Sequence, residues 1–126
     1  MKTLIIILLN VTTAFFSYQS ASQESIARPA VLVINAVVEQ ENQSELNGYL
    51  SQMMQIFKEH GGKPIGRYKT IEKVEGTGCP EMIALISFKD VSTIKNMLDS
   101  ENYKSLSDLR ERVFDKLNIV ICDELN

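Results

Sequence analysis

Apolar and polar positions alternate along the chain with two distinct periods. "AVLVINAVVE" is a β-branched run, long enough for a buried strand from about Val31 to Glu39. Beyond it, Leu46, Tyr49, Leu50, Met53 and Phe57 recur at spacings of three and four, the period of an amphipathic helix with one face on a core. Asn42 or Ser44 can cap its start. Gly61-Gly62 supplies the positive-φ residue that ends such a helix, with Pro64 just beyond. "PIGRYKTIEKVE", Pro64 to Glu75, then alternates as a long strand; "GTGCP" makes a turn, and "EMIALISF" returns as a third strand. Asp90 or Ser92 opens a short helix carrying Val91, Ile94 and Leu98. "SENYKSLSDLRERVFDKL" follows as a second helical piece, and "NIVICDEL" closes the chain as a strand.

The order β-α-β-β-α-β predicts an α+β, ferredoxin-like protomer: a four-stranded antiparallel sheet, order 4-1-3-2, with helices on one face. Val31, Leu32, Val33 and Ile34 in succession make the first strand apolar on both sides. Something must therefore cover the second face, and in so short a chain the expected cover is another copy, giving a homodimer packed sheet to sheet.

The first 22 residues read differently. Lys2, an apolar run from Leu4 to Phe16, and small residues at Ser20-Ala21-Ser22 have the layout of a cleaved secretory leader. Thirteen residues, with Asn10, Thr12 and Thr13 among them, are short of the roughly 20 a membrane span needs. The expected organisation is a leader over 1–22 cut after Ser22, an arm over 23–30 and one domain over 31–126, hence an exported protein, periplasmic or secreted. No membrane association is expected once the leader is gone.

Composition bounds the function. Hydrophobic content of 44% and charged content of 23% suit an ordinary globular domain. Without Lys2 there remain 12 basic residues against 16 acidic ones, a net charge near −4 with no basic cluster, which argues against a nucleic-acid partner. His60 is the single histidine. It falls in the last turn of the first helix, where an imidazole interacts favourably with the helix dipole, and nothing nearby offers it a nucleophile. Cys79 and Cys122 lack the spacing of a zinc or redox motif, so neither metal nor other cofactor is expected. The first strand should run between them, and two strand spacings, about 9.5 Å, exceed the roughly 7 Å limit for a bridge. No intrachain disulfide is expected; an interchain one stays open. "HGGKP" and "GTG" are not phosphate loops, because the first follows a helix and the second sits in a turn.

One charge stands apart. If Tyr103 to Leu117 is one helix, Leu109 at 0° puts Val113 at about 40°, Leu106 at about 60° and Leu117 at about 80°. Arg110 falls at about 100°, between these and Tyr103 at about 120° and Phe114 at about 140°, while the other charges occupy the opposite side. A guanidinium in an apolar arc must meet a carboxylate, a cluster of carbonyls or a solvent-filled cavity. Two readings fit: its stem covers core surface while its head reaches solvent or an acidic partner, or the helices stand off the sheet and leave a pocket. In that pocket Arg110 and the Tyr103 hydroxyl would orient an anionic or carbonyl-bearing ligand.

The Gly61-Gly62 pair followed by Arg67, the Glu75-Gly76 turn, and Tyr103 with Arg110 seven residues later carry a family resemblance over about Val31 to Glu124. This segment resembles the domain-of-unknown-function family numbered 1330, in the dimeric α/β-barrel superfamily. The resemblance implies a ferredoxin-like protomer and a dimer whose sheets form a barrel. The leader is a departure, since most members resemble cytoplasmic proteins. Superfamily relatives include cofactor-independent monooxygenases, muconolactone isomerases, haem-degrading enzymes and proteins without assigned activity, so fold alone names no reaction. The leading expectation is a binder of a small organic molecule between sheet and helices, lined by Arg110, Tyr103 and Arg67. The alternatives are a cofactor-independent monooxygenase- or isomerase-like enzyme, with Tyr103 or His60 moving a proton and Arg110 stabilising negative charge, and a dimer acting through its surface without a ligand site.

Overall fold

The computed structural model describes residues 28–125. The leader, most of the arm and Asn126 lie outside them. Strand β1 spans Ala30–Val38, helix α1 Gln43–Glu59, β2 Lys63–Lys69, β3 Met82–Phe88, α2 Val91–Leu98, α3 Glu101–Lys104, α4 Ser107–Val113 and β4 Phe114–Asp123. All strand pairs are antiparallel and the sheet order is β2-β3-β1-β4, the expected 4-1-3-2 read from its other edge. Strand β1 begins one residue before the expected Val31, and Ala30 is fully buried.

Alternation along the strands sends one set of side chains into the core. Leu32 and Ile86, opposite each other on β1 and β3, join Tyr49, Met53, Ile56 and Phe57 of α1, Ile94 and Met97 of α2, and Val113 of α4 in a single cluster. Helix α1 ends in a Schellman motif: Gly61 has φ +75°, its N–H donates to Lys58 O at 3.1 Å, and the Gly62 N–H donates to Phe57 O at 2.7 Å. Gly62 must also stay small, because a Cβ there would sit 2.7 Å from the Phe88 ring. That close approach brings the end of α1 down onto β3.

Several expected boundaries move, each for a tertiary reason. Asn42 precedes α1 but does not cap it through its side chain; its amide donates instead to Arg112 O at 2.8 Å, tying α1 to the end of α4. Strand β2 stops at Lys69, not Glu75. Its partner β3 begins only at Met82, and beyond the Thr70 N–H to Glu81 O bond of 2.9 Å the ladder has no second strand to continue on. The helix expected over Tyr103–Leu117 is instead two short pieces followed directly by β4. Ser105 sits at the C-terminus of α3 and donates to Asn102 O. Leu117, Ile119 and Ile121 alternate as a strand does, and pairing with the nine-residue β1, across a register shift between Val37 and Val38, draws Phe114 with them into a ten-residue strand.

Candidate functional site

Between the inner face of the sheet and α1 lies a cavity of about 300 Å³. Its walls are Leu32 and Ile34 of β1, Leu50, Met53, Met54 and Phe57 of α1, Ala84 and Ile86 of β3, and Phe114, Leu117 and Ile119 of β4, with Pro64, Ile65 and Arg67 of β2 at one side. Three wall residues carry polar groups: Tyr49, Tyr103 and Arg67. Strand alternation places Arg67 opposite Ala84, on the cavity side of the sheet, and its side chain is exposed. Among the described residues the wall contains no histidine, cysteine, serine or carboxylate.

Arg110 stands behind this wall and is not itself part of it. Its Nε donates to the Tyr49 hydroxyl at 3.0 Å, and its Nη2 donates to the Tyr103 carbonyl at 2.9 Å. The guanidinium carbon also lies 3.8 Å from the centroid of the Tyr103 ring, a close cation–π stack. Of the environments expected for it, Arg110 takes a carbonyl; a phenol hydroxyl and an aromatic ring, not expected, complete its surroundings, and no carboxylate pairs with it among the described residues. It holds the two tyrosines of the wall together, one from α1 and one from α3. Tyr49 is further pinned by an edge-on contact with Phe114, ring centroids 5.4 Å apart.

Burial pushes the Tyr49 phenol above its ordinary 10.0, and the hydrogen bond from Arg110 opposes this without cancelling it. Tyr49 is therefore a neutral phenol at physiological pH. Sequence reasoning missed it as a site residue because its spacing in α1 marks it only as core, and 61 residues separate it from Arg110. His60 lies elsewhere, at the end of α1 with its Nδ1 2.9 Å from Ile56 O, and does not reach the cavity wall. Cys79 and Cys122 are both free. Cys122 pairs with Val31, at the opposite end of β1 from Ala36, where Cys79 shares a cleft. Among the described residues no group of three metal-ligating side chains gathers, and no helix is long and apolar enough to cross a membrane.

Sheet order, antiparallel pairing and a cavity under α1 define an α+β protein of the ferredoxin-like class. The chain belongs to the family described as domain of unknown function DUF1330, whose model matches residues 29–125. Solved structures agree on the fold. A protein of unknown function from Rhodopseudomonas palustris is 10% identical, with 87% of this chain and 93% of that one covered at a TM-score of 0.64. A putative antibiotic biosynthesis monooxygenase from Nitrosomonas europaea is 13% identical, covering 79% and 93%, TM-score 0.58. A dimeric protein of unknown function with a ferredoxin-like fold from Bacteroides fragilis is 7% identical, covering 76% and 96%, TM-score 0.56. No protein of curated function matches the chain.

Proposed function

We propose that this protein is an exported homodimer that binds a small, largely apolar organic molecule in the cavity beneath α1. The observation that carries the reading is the cavity itself: about 300 Å³ of apolar wall interrupted by Tyr49, Tyr103 and Arg67, the usual make-up of a small-molecule site. In this reading the body of the ligand lies against Leu32, Met53 and Ile119. Its carboxylate or carbonyl faces Arg67, which forms no ion pair among the described residues. Arg110 acts one layer back, as a positioning residue for Tyr49 and Tyr103. Export is supported by the leader-like residues 1–22, and the homodimer by the outward sheet face, where Val31, Val33, Leu85 and Val120 have no helix over them among the described residues.

A thermal-shift series with small aromatic and aliphatic carboxylates, run on wild type and on the cavity-filling variant Ala84→Leu, tests the site. A ligand at a hundred times its Kd stabilises by about 2.7 kcal/mol, which in a domain of this size raises Tm by roughly 10 °C or more. Wild type should respond and Ala84→Leu should not. A response equal in both proteins, or none in wild type, would exclude the cavity. Turnover of a stabilising compound would instead favour the enzymatic alternative.

A further inference from the structure

The cavity has a direction. Arg67, Ala84, Ile34 and Ile119 stand in register across β2, β3, β1 and β4, and all four line it. They make one row across the sheet, three strand spacings or about 14 Å long, with a guanidinium at one end and aliphatic side chains along the rest. Ala84, the smallest of them, keeps the middle of the row open. Of the exposed wall residues, Pro64, Ile65 and Arg67 belong to β2 and Met54 to α1, so the cavity opens at the β2 edge. A register shift between Pro64 and Gly66 leaves Ile65 unpaired and lets it join Pro64 and Arg67 on the cavity side, adding an apolar lip beside the charge. Lys69, opposite Met82 of the wall, is a second cation on that side, and neither cation forms an ion pair among the described residues.

The aromatic rings of the wall are already engaged within the protein. Phe57 meets Phe88 edge-on at 6.1 Å, Tyr49 meets Phe114 at 5.4 Å, and Tyr103 stacks on the Arg110 guanidinium at 3.8 Å. What the row offers a ligand is aliphatic surface running inward from a positive mouth.

We propose that the ligand is an unbranched carboxylic acid of about eight to twelve carbons, lying across the strands with its carboxylate at Arg67 and its tail toward Ile119. This rests on the binding reading given above and names its ligand class. The volume agrees with the length, since about 300 Å³ holds about ten groups at about 30 Å³ each. A chain satisfies both ends at once: the head stays at the wet mouth, where its charge is paired, and each methylene leaves water for the apolar row.

Isothermal titration of the full protein with straight-chain acids from butanoate to hexadecanoate tests this, with naphthoate as a ring compound of similar bulk and decanol as an uncharged chain. The Kd should fall about fourfold with each added methylene up to about ten carbons and then stop falling. Decanoate should bind more tightly than naphthoate. Arg67→Gln, a change at an exposed side chain, should weaken decanoate about tenfold or more and leave decanol as in wild type. Acids that bind without dependence on chain length, or naphthoate binding more tightly than decanoate, would overturn the chain and leave the cavity reading standing. Equal losses for decanoate and decanol in Arg67→Gln, or none, would overturn the placement of the head. If no compound of the series bound wild type, both readings would go.

Discussion

Arg110 shows how a hydroxyl, a carbonyl and an aromatic ring can keep a charge inside an apolar arc. The Tyr49 hydroxyl and the Tyr103 carbonyl accept two of its donors, and the Tyr103 ring receives its flat face. Its unusual placement is legible in the sequence, although the single helix used to read it does not exist. The chain keeps a nearly helical path across the break, with the Leu106 N–H donating to Tyr103 O and the Arg110 N–H to Leu106 O, so the angular relation survives. The partner on α1 is illegible, because a contact over 61 residues leaves no local pattern. A hydrogen bond to a charged group is worth about 1.5–3 kcal/mol and a cation–π contact about 0.5–1 kcal/mol. Arg110→Ala is therefore expected to lose about 2–4 kcal/mol in urea unfolding, read as a lower midpoint at unchanged slope. Arg110→Lys should lose less, since an ammonium keeps the charge but not the fork. A loss for Arg110→Ala within about 0.5 kcal/mol of zero would mean these contacts do not hold the wall.

Among the elements, those bounded by local signals fall where the sequence puts them. Helix α2 begins at Asp90, whose Oδ1 accepts from the Thr93 N–H at 2.8 Å, the Thr93 hydroxyl at 2.7 Å and the Ser92 hydroxyl at 2.9 Å. These bonds, the Thr93 hydroxyl foremost, hold the Asp90 carboxyl below its ordinary 3.8. A carboxyl depressed in the folded state contributes stability above its unfolded value and loses it as pH falls through the folded one. The stability difference between wild type and Asp90→Asn should hold steady above pH 3.8 and move against wild type below it, in thermal melts over that range. Parallel curves into acid would show that this cap carries no charge-dependent stability. Elements bounded by distant partners, by contrast, were misplaced. Strand β2 ends where β3 ceases to accompany it, and β4 takes Phe114–Leu117 from a helix because β1 offers a ladder there.

At the scale of the molecule, an inner sheet face builds the core and cavity, and among the described residues the outer face is left without helices. Apolar residues on both faces of β1 make that second surface readable before any coordinates are known, and Val33, Leu85 and Val120 lie in one row across it. The leader concerns the whole chain too. Intact mass spectrometry of protein recovered from the exported fraction of its host should show loss of residues 1–22, with Gln23 as the new first residue. A full-length chain retained in the cytoplasm would overturn export.

By itself the sequence determined the element order, the sheet topology, the family and the oddity of Arg110. These depend on periodicity and turn chemistry, which act within a few residues. Only the tertiary structure decided that Tyr49 accepts from Arg110, that Arg110 backs the cavity wall instead of forming it, and that the segment after Lys69 has no partner strand among the described residues. Each of these is settled by which surfaces meet across the fold, and a linear pattern does not encode that distance.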